Sequence, residues 1–267
     1  MSCSICSNVM QDCFKTEVLG KYQAQYEVCN SCGYIRARNP YWLDEAYSQP
    51  IANADTGLVS RNLAIARKVS CVLFWVLKNR SNARYLDVAG GYGMLTRLMR
   101  DLGFDFFWYD KYCKNLLACG FEYIPACGSC YVATAIEVLE HVEDPLSFIK
   151  EVFSFSGAET LIFTTELYEG NPPHPDSWWY YAFPTGQHIG FFRRNTLMAI
   201  ADRLGMYFIT ANGIHIFSKN QLNKHVLSVV TGRLFSNVAP WWIRWRLGSK
   251  TMLDHNFMLN KINEVKP

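Results

Sequence analysis

Residues 85–110, YLDVAGGYGMLTRLMRDLGFDFFWYD, run from a short apolar segment through a glycine cluster into an amphipathic segment, and then into a second apolar segment ending in Asp110. A strand, a glycine-rich turn, a helix and an acid about 20 residues on are the outline of a dinucleotide site, and other nucleotide-like cofactors use the same outline. In the dinucleotide pattern G-x-G-x-x-G, the third glycine lets helix and strand pack closely. Here Gly91 and Gly93 are followed at that place by Thr96, so the pattern fails. An acid-x-G-x-G-x-G turn does fit with one change: Asp87, then Ala89 in place of the first glycine, Gly91 and Gly93. A plain strand-turn-helix whose glycines only make the bend remains open on these residues alone.

The rest of the chain alternates in the same way. Apolar residues at Leu58, Leu63, Val69, Val72, Leu73 and Val76 predict a helix over 58–77. Strands are expected over 84–88, 105–109, 131–138 and 160–166, and helices over 94–102 and 115–119. Asp144 followed by Pro145 reads as the N-cap and first-turn proline of a helix through Phe153. Asn195 is expected to cap a helix that stops at Gly205. Asn212-Gly213 between MYFITA and IHIFSK is a hairpin signal, so the last two strands should be antiparallel. This alternation argues for an α/β fold with a parallel sheet covered by helices.

The acid and glycine turn resembles that of class I S-adenosylmethionine-dependent methyltransferases, and the resemblance extends over residues 55–218. It implies a Rossmann-like sheet of seven strands, six parallel and one antiparallel. It also implies that Asp87, Ala89, Gly90, Gly91 and Gly93 form the cofactor turn, and that Asp110 accepts hydrogen bonds from the ribose hydroxyls. A carboxylate suits two neighbouring hydroxyls because it offers two acceptor oxygens and no competing donor. No pyrophosphate needs cradling in such a cofactor, so the third glycine is dispensable. AIEVLEHVEDP, residues 135–145, resembles the fourth-strand motif of small-molecule methyltransferases, which implies Ala135, Ile136 and Glu137 beside the cofactor. Glu140 and His141 then read as structural residues at the strand end. GQHIGFFRRNTLMAIADRLGM, residues 186–206, is similar to the region after the fifth strand. The short stretch after Asp110 departs from the family pattern and lacks its usual Asp, leaving Tyr112 as the candidate adenine contact.

Cys3-x2-Cys6 and Cys29-x2-Cys32 form two knuckles separated by 22 residues. Two intervening residues let both thiolates of a knuckle reach one tetrahedral zinc ion. Cys127-x2-Cys130 is a lone pair and reads as ordinary thiols. Zinc ribbons often bind nucleic acid, but residues 1–50 carry Lys15, Lys21, Arg36 and Arg38 against Asp12, Glu17, Glu27, Asp44 and Glu45, a poor phosphate binder. A four-cysteine module ahead of such a domain resembles instead the sugar C-methyltransferases of polysaccharide and antibiotic biosynthesis. That implies a small acceptor, a nucleotide-linked sugar or glycan. The aromatic and polar stretch over 39–62 either lines a sugar pocket or cements the two parts together.

DSWWYYAFPTGQHIGFF, beyond the fifth strand, supplies acceptor-site candidates in Tyr180, Tyr181, Gln187 and His188. His188 is the expected general base, with Tyr181 beside it and Glu166 as a second candidate. An unperturbed imidazole pKa suits proton transfer near neutral pH. Two rival readings are an O-methyltransferase of another small metabolite and a zinc-ribbon binding protein whose domain has lost catalysis.

The formal charge of +3 is uneven: from Lys219 onward eight Lys or Arg face only Asp254 and Glu264, leaving the remainder at −3. In this tail PWWIRWRLGSK interleaves Trp241, Trp242 and Trp245 with Arg244 and Arg246. It either lies on an anionic membrane or a partner enzyme, or packs its tryptophans onto the domain; packing is the favoured expectation. MSCSICSNVM has no basic start followed by an apolar run, and the apolar stretch CVLFWVL is far short of a membrane span, so a cytoplasmic protein is expected. The expected division is a zinc ribbon over 1–40, a linker and helical cover over 41–80, the cofactor-binding domain over 81–218 and the basic extension over 219–267.

Overall fold

Apolar runs and amphipathic stretches sort into two sheets in the computed structural model of the chain, which describes residues 2–48, 55–78 and 82–264. Parts of two expected segments, residues 49–54 of the joining stretch and 79–81 of the turn before the domain, lie outside the described residues. β1 (Met10–Val18) and β2 (Tyr22–Cys29) make an antiparallel hairpin, turned at Leu19 and Gly20, which both take positive φ. β3 (Ile35–Ala37) pairs antiparallel with β2. α1 (Leu43–Ala46) and α2 (Leu58–Cys71) follow, and α2 continues as a π turn over Val72–Val76.

The glycine turn lies between β4 (Arg84–Val88) and α3 (Met94–Asp101), with β5 (Asp105–Tyr109) after it. Then come β6 (Val132–Ile136), α4 (Pro145–Ser156), β7 (Thr160–Thr164), the two-residue β8 (Gly190–Phe191) and α5 (Arg194–Leu204). Asp144 caps α4 by accepting from the Ser147 amide, as the Asp-Pro pair predicts. The cap of α5 lies two residues before the expected one: extended Arg193 precedes the helix, and its amide donates to Thr196 Oγ1. Asn195 is therefore inside the helix, while Gly205 ends it in the left-handed conformation. β9 (Tyr207–Ala211) and β10 (Ile214–Ser218) form the expected Asn212-Gly213 hairpin. The tail is helical, as α6 (Lys224–Val230), α7 (Arg233–Leu247) and α8 (Thr251–Glu264).

The larger sheet has the order β5-β4-β6-β7-β10-β9. β5, β4, β6 and β7 run parallel, and β10 is antiparallel to both β7 and β9. Among the described residues this mixed sheet has six strands, which corrects the expected seven. The missing strand is reduced to one parallel bridge, Trp108 to Glu122, where the Trp108 amide donates to Phe121 O and the Tyr123 amide to Trp108 O. A parallel crossover needs a dozen or more residues before its strand can start, and little chain remains between Asp110 and β6 for both. The expected helix over 115–119 is likewise a single bend, stabilised by the Ala118 amide donating to Asn115 Oδ1 and stopped at Gly120.

Neighbouring strand residues face opposite layers. Leu86, Ala133, Leu161 and Phe163 pack with Ile149 and Val152 of α4 and Leu197 and Ile200 of α5. Tyr85, Val132, Ile162 and Ile216 pack with Val69, Met99, Leu227 and Ile243 from α2, α3, α6 and α7. A buried ion pair clasps α8 onto α3: Arg100 makes two bonds to Asp254, each 2.8 Å. Burial works against the Asp254 carboxylate, yet the bonds from Arg100 and Arg97 outweigh it and hold its pKa below the usual value.

The cysteine module shares its sheet with the rest of the chain. β8 pairs with β3, aligning Phe191 with Ile35. Thr196 Oγ1 donates to Cys32 O, and the Trp42 indole donates to Gly186 O at 2.9 Å. Trp42 thus cements the two parts, as one of the two readings of the joining stretch has it.

Candidate active site and cysteine centre

The turn after β4 is shaped by contacts that only particular residues allow. Gly90 is tight: an added Cβ would lie 2.8 Å from both Asp87 Oδ2 and Trp108 Cδ1. Gly91 has φ +54 and Gly93 φ +88, where glycine carries no Cβ penalty. Ala89 also has positive φ, at +53, and for a residue with a Cβ that conformation costs roughly 1–2 kcal/mol. The Trp108 indole pins the turn by donating to Gly91 O at 2.9 Å.

Asp87 lies under this turn rather than at its surface, and is buried. It accepts from Thr134 Oγ1 at 2.8 Å and from Thr96 Oγ1 at 3.3 Å. Thr96, at the place of the absent third glycine, therefore gives the acid a partner. Burial raises the Asp87 carboxyl to about 7, against the two threonine bonds.

Asp110 ends β5 facing the same turn. Its Oδ2 accepts from the Gly91 amide at 2.9 Å, and its Oδ1 from the amides of Tyr112 and Cys113 at 2.7 and 2.8 Å. An ionised carboxylate has about four lone-pair sites, so these three bonds leave room for a ligand hydroxyl. Tyr112 is largely exposed and its ring stacks on Tyr47. Ala135 is buried in the core and Ile136 packs toward the opposite layer, so neither presents much surface at the sheet edge.

Glu137 leaves the strand with φ +53, its amide bonded to Thr164 Oγ1. Burial, with Glu140 nearby, raises its carboxyl to about 7. Burial alone dominates for Glu140, also raised to about 7. Tyr180 joins these acids: its hydroxyl donates to Glu140 Oε1 at 2.7 Å and lies 3.4 Å from Glu137 Oε2.

His188 sits against this group, its ring 4.7 Å from those of both Tyr180 and His141. Its Nδ1 is 2.7 Å from Tyr180 O. Burial, together with His141, lowers the His188 pKa to about 3. The imidazole is therefore neutral near pH 7 but far weaker as a base than its unperturbed value implies. Tyr181 is elsewhere: it packs among Phe14, Phe183 and Phe191, and its hydroxyl donates to Pro173 O. Its neighbour Tyr180 is the tyrosine at the site, a one-residue difference that sequence spacing does not resolve. Gln187 is tied down by donating to Ala46 O, and Glu166 is exposed.

The four expected cysteines converge. Their sulfurs all lie within 4.8 Å of one another, with Cys3 and Cys32 at 3.7 Å and Cys6 and Cys29 at 3.3 Å. Zinc–thiolate bonds of about 2.3 Å at tetrahedral angles put sulfurs about 3.8 Å apart, so this donor set fits one zinc ion. Gly33 follows with φ +80, and a Cβ there would collide with the Arg193 side chain.

Residues 61–211 match a family described as methyltransferase domain. That match covers more than half of the chain, which therefore belongs to this family and is, by class, a methyltransferase. Mitomycin 7-O-methyltransferase MmcR is similar at 15% identity over 66% of this chain and 59% of that one, with a TM-score of 0.45. The magnesium protoporphyrin IX methyltransferase ChlM from Synechocystis PCC 6803 with bound SAH has 14% identity over 66% and 94%, with a TM-score of 0.39. The plantazolicin methyltransferase BpumL in complex with SAH has 8% identity over 76% and 84%, with a TM-score of 0.47. The chain spans about three-fifths of the length of MmcR. Family membership rests on the domain match and not on these structures. No curated protein matches the chain.

Proposed function

We propose that the chain transfers a methyl group from S-adenosylmethionine to a small acceptor. The observation that carries this reading is the turn at Gly90 and Gly91 facing Asp110 at the strand ends of a chain that belongs to the methyltransferase-domain family. When bound, the cofactor supplies an electrophilic methyl group on a cationic sulfonium. Asp110 would take a ribose hydroxyl on its remaining lone pair, and Gly90 would let the ligand approach the backbone. Glu137 adds negative potential for the sulfonium. Titration of the purified protein with S-adenosylmethionine by calorimetry tests this, and absence of binding at millimolar ligand would sink it.

The acceptor site would lie at Glu137, Tyr180 and His188, beside the turn. A base is most effective when its pKa lies near the working pH. The carboxyl of Glu137, at about 7, meets that condition better than the His188 imidazole, so proton acceptance is assigned to Glu137, with His188 orienting the acceptor. Tyr47, which reaches His141 from the joining stretch, supports a covered pocket for a polar molecule. We keep a sugar-linked acceptor, methylated at carbon or oxygen, as the substrate class, and the cytoplasm as the compartment. We also propose one structural zinc ion on Cys3, Cys6, Cys29 and Cys32.

The tail enters this reading through its surface. Trp242 packs on Phe74 and Trp75, as favoured from the sequence. Trp241 and Trp245 do not: they are 76% and 72% exposed and share one face of α7 with exposed Leu234 and Val238. An apolar face with Trp flanked by arginines suits the headgroup region of an anionic membrane. No helix among the described residues is long and apolar enough to cross a membrane, and the assigned contact is a peripheral one.

A further inference from the structure

Glu140 poses a problem that methyl transfer does not solve. The residue is fully buried. One oxygen, Oε1, accepts from Tyr180, while Oε2 has no hydrogen-bond partner among the described residues. An ionised carboxylate oxygen buried without a partner is costly. The Glu140 amide and the Tyr180 and Thr165 hydroxyls favour the charged form, and more weakly so does Arg61 through space, itself held by two bonds to Asp55, of 3.0 and 2.6 Å.

Two imidazoles stand beside this carboxylate, each with its Nδ1 at a backbone carbonyl. His141 Nδ1 is 3.0 Å from Gln187 O and His188 Nδ1 is 2.7 Å from Tyr180 O. A carbonyl oxygen can only accept, so the His188 Nδ1 carries the proton and its Nε2 presents a bare lone pair; the His141 Nδ1 also meets the Tyr47 hydroxyl at 3.0 Å, which can accept from the same N–H. No hydrogen bond to either Nε2 is made by the described residues. An imidazole whose Nδ1–H is tied to a backbone carbonyl is the arrangement that orients a metal-ligating histidine. One ligand atom each from Glu140, His141 and His188 lies within 4.8 Å of the other two. The two rings meet edge to face, at 85°.

We propose that Glu140, His141 and His188 bind a divalent first-row transition-metal ion, a site separate from the four cysteines. Two imidazoles and one carboxylate suit such an ion and leave coordination positions for water or an acceptor oxygen. Glu137, which shares the Tyr180 hydroxyl with Glu140, adds a second negative charge at the rim. The ion's use in the reaction rests on the methyl-transfer reading; its binding does not.

The test is a titration with Mn2+, which disfavours thiolates and so reports the nitrogen and oxygen site rather than the cysteines. The full-length protein, stripped of loosely held ions by brief dialysis against a weak chelator, is titrated while loss of the free Mn2+ resonance is followed. Wild type should take up one equivalent, and His188→Ala and Glu140→Gln should each weaken uptake by about tenfold or more. S-adenosylmethionine affinity is measured on every sample as a check that the fold is intact. If Glu140→Gln fails that check, His141→Gln replaces it. No uptake by wild type, or uptake by His188→Ala equal to wild type, overturns the proposal. Cofactor binding without Mn2+ uptake removes the metal site alone. Mn2+ uptake without cofactor binding removes the methyl-transfer reading and leaves the metal site standing.

Discussion

The Gly91 amide donates to Asp110 Oδ2 at 2.9 Å, so the turn after β4 is closed onto the end of β5 by the chain itself. Two further amides hold the other oxygen of Asp110. Asp110→Ala removes all three bonds together with the ribose acceptor. We expect S-adenosylmethionine affinity to fall by at least about tenfold, which is about 1.4 kcal/mol, with a lower Tm. Calorimetry on the variant decides it, and unchanged affinity would take Asp110 out of the site.

Ala89 holds a left-handed conformation that glycine adopts without penalty. Ala89→Gly relieves roughly 1–2 kcal/mol of strain but adds about 0.5–1 kcal/mol of unfolded-state entropy. The expected result is a gain of up to about 1.5 kcal/mol in urea denaturation. A clear loss of stability would mean that the Ala89 methyl is held by packing that outweighs its strain.

Asp87 gives a pH dependence with a definite sign. In the fold its proton is retained to about 7, and in the unfolded chain it leaves near the ordinary value of 3.8. Between these values the folded form binds more protons, so stability falls as pH rises through that window. Asp87→Asn should flatten this decline in Tm between about pH 4 and 7. An unchanged slope would assign the decline to other groups.

Zinc on the four cysteines should be felt across the shared sheet, because β3 and β8 pair directly. Chelation with a strong ligand should reduce amide-exchange protection over 35–37 and 190–191 while leaving β4 and β6 protected. Equal protection with and without the ion would show that the cysteine centre does not support this pairing.

The outward face of α7 makes a surface prediction. Replacing Trp241 and Trp245 together by Ala should weaken co-sedimentation with vesicles containing anionic lipid and leave cofactor affinity unchanged. Wild-type protein that stays in the supernatant would dismiss the membrane as occupant of that face.

Much of the central sheet was legible because its strands are short apolar runs set apart by glycine, proline and Asp-Pro signals. β4 and β5 have their expected bounds, and the Asn212-Gly213 turn fixes the register of β9 against β10. Less legible were features that depend on what lies opposite. β8 is two residues long and exists because β3 is there to pair with it. Thr96 reads as a broken glycine pattern until Asp87 is found beneath it. Tyr180 and Tyr181 cannot be ranked by spacing inside one tight turn, and packing puts one at the acids and the other among aromatic rings. His188 meets Glu140 and His141 only because the segment after β7 returns across the end of β6, where the Ile189 amide donates to Glu140 O.

The pairing of β3 with β8 also limits how the chain can be divided. Cutting after residue 40 would expose an unpaired strand edge immediately beyond His188 and strip Cys32 from the start of α5. The cysteine module is thus not a detachable accessory that could be exchanged between enzymes as a cassette. A chimera that imports a different module must also import a matching strand at 190–191, so the two halves are expected to be inherited and engineered as one piece.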